Sequence, residues 1–364
     1  MNNGPRLATV ASFVFGILCL SPVGSMALSD SVGQKERVIA LPELENPLQI
    51  VVEKGKAYFA DERDILVYNL ADGRFLKRFG KRGQGPGEFL MGPGSMTVVA
   101  DQLVVGDFRK IKIFTLDGVY ITQIQEPTSM RFDFLPVGRN YVGFPLVRNS
   151  DGTYSVPSGQ IYDSNLKPRR TFFGAFPTMP AAPPPPGSSE PVGKTDLLLI
   201  KDYTDTTVYG DRVYVVDSRR GFSISVFDEN GILLREIKHA VDKVKVPKSF
   251  IDDVVREWKA SKYWKNIYSH VNPIVPEYFP DIINLKVDGG RIYALTSAKK
   301  NGLYEVIIMN LEGKILEKSF RLPLVLQDEF RSLWILRKRY DIEGDRFFWF
   351  AYNDDKDTYE LHIR

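Results

Sequence analysis

Apolar residues along this chain come in short runs separated by glycine-bearing turns. Three such runs, Ala57–Asp61, Ile65–Leu70 and Arg74–Phe79, form the first legible unit. Between the second and third stands Ala71-Asp72-Gly73, and Asp-Gly supplies the positive φ that tight hairpins need. A glycine-rich connector, Gly80–Phe89, then feeds another strand. The grammar returns over Gln102–Ile124, where Gly118 stands 45 residues beyond Gly73. A repeat of roughly 40–50 residues is the period of a four-stranded propeller blade. The pattern therefore predicts an all-β chain built as a β-propeller.

The same reading extends along the chain. Blade one starts with Leu48–Glu53 and turns at Lys54-Gly55-Lys56; blade two covers Ser95–Ile124. Blade three takes Arg131–Val137, Tyr141–Val147, Gly159–Tyr162 and Arg169–Phe173, with Pro145 and Pro157 weakening the strand pattern. A break at Phe176–Lys194 carries four consecutive prolines, which favour a solvated polyproline II spacer over a sheet ladder. Blade four covers Thr206–Ile237, with Asn230-Gly231 at its hairpin. Blade five covers Ile282–Phe320, with Glu312-Gly313 at the turn.

Between them lies a helical insertion, Ala240–Pro280. Ser249-Phe250-Ile251-Asp252 fits a capping box, and Phe250, Ile251, Val254, Val255 and Trp258 share one helical face. Arg346–Tyr352 and Tyr359–Arg364 read as strands of a last blade whose first strand is placed near Trp334–Tyr340 and whose fourth is missing. Arg37–Leu41 has no partner beside blade one. Closing the last blade with that segment gives six blades and removes an open sheet edge.

Composition adds a compartment. The chain has 364 residues and a net charge of +3, too little for a nucleic-acid-binding surface. Arg6, the apolar Leu7–Leu20 and the small-x-small Ser25-Met26-Ala27 form an export leader, residues 1–27, so the expected mature chain is one domain, 28–364, in the periplasm or secreted. No later apolar run is long enough to span a bilayer. Cys19 is the sole cysteine; bulky Leu18 before it argues against lipid attachment. Its loss with the leader would remove disulfides, cysteine catalysis and thiolate metal sites together.

Gly80, Gly83, Gly85-Pro86-Gly87-Glu88-Phe89, Pro93, Asp107, Ile111, Phe114 and Gly118 give the first two blades a resemblance to the NHL-repeat and related six-bladed propeller families. The chain looks like the exported bacterial members. The resemblance implies the fold and leaves activity open, because one fold hosts many chemistries. The central-metal motif of gluconolactonase-type propellers has no match here.

Candidate chemistry is sparse. The Gly80–Gly87 loop with Lys81 and Arg82 could cradle phosphate only if a helix followed, and Leu90–Gly94 leads into a strand instead. His239, His270 and His362 lack metal-ligand spacing, there is no Gly-x-Ser-x-Gly elbow, and no cofactor is expected. Asp61, Asp107 and Asp217 recur at the ends of second strands, where they either ring a metal or accept loop N–H groups.

More informative are the loops on the face shared by blade connectors and second-to-third-strand turns. They carry Lys81, Arg82, Arg109, Lys110, Arg219, Arg220, Lys299 and Lys300, against an acidic sector of Glu62, Asp64, Asp354, Asp355 and Asp357. Tyr263, Trp264 and Tyr268 in the insertion add aromatic candidates. The expectation is a binding module for a protein, peptide or glycan, with anionic groups favoured by the basic rim. The alternative is a metal-dependent hydrolase or lyase at the channel mouth, which a bound divalent metal would favour.

Overall fold

The computed structural model describes residues 36–107, 110–125, 135–144, 147–148, 154–155, 159–174, 195–198, 200, 203–260, 271–324 and 338–364. The expected leader with Cys19, Arg109, Tyr263, Trp264, Tyr268, His270 and the proline-rich break lie outside those residues.

Six four-stranded antiparallel sheets follow one another among the described residues, each ordered from the inside outwards. Blade one is Gln49–Glu53, Lys56–Ala60, Ile65–Asn69 and Phe75–Phe79; blade two is Met96–Val99, Gln102–Asp107, Lys110–Thr115 and Tyr120–Gln125. Blade three is Leu135–Val137, Asn140–Gly143, Gln160–Tyr162 and Pro168–Thr171, with a small hairpin of Val147–Arg148 and Tyr154–Ser155 between its second and third strands. Blade four is Thr204–Tyr209, Arg212–Asp217, Ser223–Asp228 and Leu233–Lys238; blade five is Ile282–Asp288, Arg291–Lys300, Leu303–Asn310 and Ile315–Leu322. Blade six comprises Tyr340–Glu343, Arg346–Asn353 and Thr358–Ile363, and its outer strand is Arg37–Leu41, in register from Arg37 opposite Ile363 to Leu41 opposite Tyr359. The protein is a six-bladed propeller.

The strands are more uniformly apolar than strict alternation requires because each blade is buried on both faces. Ala57, Tyr58, Phe59 and Ala60 are all fully buried. Ala57 and Phe59 face blade six, whereas Tyr58 and Ala60 face blade two. One apolar wedge of this kind fills each of the six interfaces between blades. Outer strands have only one such neighbour, so Phe75, Ile121 and Leu233 remain exposed.

Two turn types repeat. The first and second strands of every blade are joined by two residues: Lys54-Gly55, Ala100-Asp101, Gly138-Arg139, Gly210-Asp211, Gly289-Gly290 and Gly344-Asp345. At least one residue of each pair has positive φ, the requirement of a hairpin that follows strand twist. The second type joins third and fourth strands, and its glycine meets the outer strand of the preceding blade. A Cβ on Gly118 would stand 2.5 Å from the Phe79 ring, and one on Gly313 2.6 Å from Ile237. At Gly73 the neighbour is Ile39, at 2.8 Å. The N-terminal strand thus does for blade one what ordinary outer strands do elsewhere.

The structure corrects three local readings. The inner strand of blade six is Tyr340–Glu343, not a segment ending at Tyr340, because its apolar residues Tyr340 and Ile342 complete the wedge against blade five. The insertion helix runs Lys248–Ala260, so Ser249 lies inside it; Phe250 and Ile251 donate their backbone N–H to the carbonyl of Pro247. Lys299 and Lys300 end the second strand of blade five, and Lys110 begins the third strand of blade two. Cross-strand pairing extends to these residues, leaving only short turns between the strands.

Candidate functional site

The acidic residues at the ends of second strands position the connectors. Asp61 accepts the N–H groups of Glu45 at 2.8 Å and Asn46 at 2.6 Å, in the segment entering blade one. Asp107 accepts those of Leu90 at 3.1 Å and Met91 at 3.3 Å, in the segment entering blade two. Its carboxylate also pairs at 3.1 Å with Lys112, both side chains being almost wholly buried. In blade four Ser218 accepts from Tyr203 N–H, while Asp217 holds Arg219 through two guanidinium bonds. Each carboxylate answers to backbone donors or a cation of its own neighbourhood. No group of three or more His, Cys, Asp or Glu among the described residues has a metal-holding geometry.

The loop-face cations divide into two sets. Lys81 pairs with Glu88 at 3.2 Å, Arg219 with Asp217, Arg220 with Glu236, and Lys299 lies 4.8 Å from the centre of the Tyr304 ring. Arg82, Lys110 and Lys300 have no side-chain partner among the described residues. In the acidic sector Asp64 pairs with Arg78 and Asp357 accepts the Tyr352 hydroxyl, so that charge too is partly spent locally.

The two long connectors build on this face. Thr195–Leu198 lies parallel to Val271–Ile274, joining the segment before blade four to the one before blade five. Val246 and Phe279 bond across to Glu277 and Val244. Phe250 and Ile251 of the helix, with Val275 and Phe279, pack on the wedge between blades five and six, and Phe250 meets Phe279 edge-on at 5.2 Å. Val254 and Trp258 side chains lie outside the described set.

Residues of the inner strands of blades one to five, with Lys338 just before blade six, line a central cavity of about 120 Å³ whose polar lining includes Gln49, Ser95, Thr206 and Lys286. Side chains stitch neighbouring inner strands together around it. Gln49 bonds both backbone groups of Met96, at 2.7 and 2.8 Å. Asp341 accepts Val52 N–H at 2.8 Å and Lys286 Nζ at 3.0 Å. Asp205 accepts Leu285 N–H at 2.6 Å and Asn284 Nδ2 at 2.8 Å, while the Tyr340 hydroxyl donates to Asn284 Oδ1. Lys338 reaches past blade one to the Gly94 carbonyl at 2.9 Å.

Burial pushes the Asp205 carboxyl up to about 6, the Leu285 N–H and Lys286 opposing it. The same cause raises Tyr203 and Tyr340 well above the usual phenol range. The hydroxyl of buried Thr206 makes no hydrogen bond among the described residues. Asp205 and Asn284 were missed in the sequence, although a charge inside Thr-Asp-Thr-Thr and an amide inside Ile-Ile-Asn-Leu are signals of a polar inner-strand position.

The two described histidines, His239 and His362, serve packing. His239 bonds the Gly313 carbonyl, and His362 stacks on Trp349 at 5.3 Å while contacting Glu36.

In comparisons with known proteins, the DUF5128 family, described as a 6-bladed beta-propeller, matches residues 43–173, which hold blades one to three. No curated protein matches the sequence. Among solved structures, the chain is similar to a candidate exported protein of Bacteroides fragilis NCTC 9343, at 11% identity over 91% of this chain and 94% of that one, with a TM-score of 0.47. It is also similar to KlHsv2 with loop 6CD replaced by a Gly-Ser linker, at 10% identity over 88% and 97%, with a TM-score of 0.34. The family match reaches the six-bladed propeller and no finer repeat class, and neither structural likeness carries an activity.

Proposed function

We propose that this protein is an exported binding module that captures a protein, peptide or glycan on its connector face. The observation that carries the reading is the contrast between faces. One is finished by six two-residue hairpins, whereas the other bears the paired Thr195–Leu198 and Val271–Ile274 strands and a packed helix. Long connections with structure of their own are typical binding elements. Export rests on the leader at residues 1–27. Among the described residues, no helix is long and apolar enough to cross a membrane.

Among the described loop-face residues, Arg82, Lys110 and Lys300 are the cations left to meet anionic groups of a partner. Binding of the mature chain to immobilised extracellular proteins, peptides and polysaccharides, compared with an Arg82→Ala/Lys110→Ala/Lys300→Ala variant, tests the reading. The expected result is retention of a ligand by the wild type and at least about tenfold weaker retention by the variant, with stronger salt dependence in the wild type. Equal retention by both proteins would overturn the role of this face.

A further inference from the structure

Where the glycine-rich connector leaves blade one, the rim of the propeller carries an open groove of about 510 Å³ between blades one and two. That is within the range of small-ligand sites, roughly 300–1,000 Å³. Its floor is aromatic. Phe114 is buried, and it meets Phe79 at 5.3 Å with the rings tilted 53° and Tyr120 at 5.8 Å nearly edge-on. Glycines keep the groove open. A Cβ at Gly118 would enter the Phe79 ring at 2.5 Å, and one at Gly87 would crowd Tyr120 at 3.2 Å.

The walls are polar and mutually neutral. Asp64 pairs with Arg78, and Lys81 with Glu88, each at 3.2 Å. Two cations and two carboxylates thus cancel, while the Lys81 and Arg78 donors and the carboxylate oxygens retain hydrogen-bonding capacity. The Gly85 N–H, aided by Lys81, holds the Glu88 carboxyl below its usual range, so it stays an acceptor. The Tyr120 hydroxyl has no hydrogen-bond partner among the described residues.

These features restrict the ligand. An anion would meet Asp64 and Glu88, a cation would meet Arg78 and Lys81, and a wholly apolar molecule would strip water from four charges without replacing its hydrogen bonds. A neutral polyhydroxylated molecule satisfies all of them, laying its C–H face on Phe79 and Tyr120 and its hydroxyls against the ion pairs. We propose that the rim groove formed by Phe79, Lys81, Glu88 and Tyr120 is a binding site for a neutral glycan. The proposal narrows the binding-module reading and rests on it, placing the sugar on the rim beside the Gly80–Glu88 part of the connector.

The test is calorimetric titration of the mature chain with soluble neutral oligosaccharides of glucose, mannose, galactose or N-acetylglucosamine, with a proline-rich peptide as comparison. Lys81→Ala alters an exposed side chain and Tyr120→Phe removes only a hydroxyl, so both variants should fold; circular dichroism checks this. At least one oligosaccharide should bind, and each variant should weaken it by about threefold to tenfold. Absence of sugar binding, or binding of only the peptide, would overturn the glycan assignment. Sugar binding that both rim variants keep at wild-type strength would overturn this groove while leaving the binding module standing.

Discussion

Asp205 concentrates the energetics of the central channel in one carboxyl. It is 4% exposed and sits between the inner strands of blades four and five, where its donors hold an interface rather than a ligand. Burial raises its folded pKa from 3.8 to about 6. Between those values the folded chain holds a proton that the unfolded chain has released. The protonation-linked stability is therefore complete below the unfolded pKa and is lost as pH rises through the folded one. A shift of two units corresponds to about 3 kcal/mol at most. In urea unfolding between pH 4 and 7, wild type minus Asp205→Asn should fall by up to that amount, nearly all of it before about pH 6.5. An unchanged difference across the range would show that Asp205 titrates normally. The sequence made the recurrent aspartates visible at Asp61, Asp107 and Asp217, but Asp61 and Asp107 take backbone donors from connectors 15–17 residues before them. Spacing cannot say whether such a carboxylate meets a metal or two backbone N–H groups.

At the scale of elements, turns were the most legible part of the chain because their chemistry is local. Asp72-Gly73, Asp117-Gly118, Asn230-Gly231 and Glu312-Gly313 all mark third-to-fourth-strand turns. The two-residue inner hairpins were less visible: Ala100-Asp101 and Gly344-Asp345 use non-glycine residues at positive φ, with strand pairing enforcing the conformation. The interdigitation of turn glycines with the preceding blade was not readable, since it depends on neighbours tens of residues away. It separates two costs that a glycine substitution usually mixes. At Gly289, φ is +55° and a Cβ would meet nothing within 4 Å; at Gly313, φ is +90° and the Cβ would strike Ile237. Gly289→Ala should cost about 1 kcal/mol, from backbone strain alone. Gly313→Ala should cost about 3 kcal/mol, because overpacking adds to the strain. Denaturant midpoints measure both, and equal costs would remove the inter-blade contact from the account.

For the whole molecule, the blade count was legible from a mismatch at the chain ends: a last sheet short of a strand and an apolar RVIAL segment without a local partner. The Thr195–Leu198/Val271–Ile274 pairing was not legible, because a parallel pair between two irregular connectors leaves no periodic trace. Closure is also the feature on which the largest stability effect should fall. Arg37–Leu41 pairs along its length with blade six, and buried Ile39 and Leu41 join the wedge that continues into blade one. Arg37 also donates to the carbonyls of Leu70 and Ala71 in blade one, so this strand fastens both sides of the seam. Just before it, Glu36 receives Arg364 at 2.8 Å. Deleting residues 37–41 would expose the Thr358–Ile363 edge and remove the Ile39 contact that Gly73 shapes. A milder probe keeps the backbone: Ile39→Ala/Leu41→Ala should destabilise by roughly 5 kcal/mol, at about 2–5 kcal/mol for each truncated buried aliphatic side chain. The deletion should cost more, broaden thermal unfolding and promote association through the exposed edge, read by calorimetry and light scattering. If the deletion left both the midpoint and the width of unfolding unchanged, the ring would be held by its remaining interfaces, and the seam would be an ornament rather than a lock.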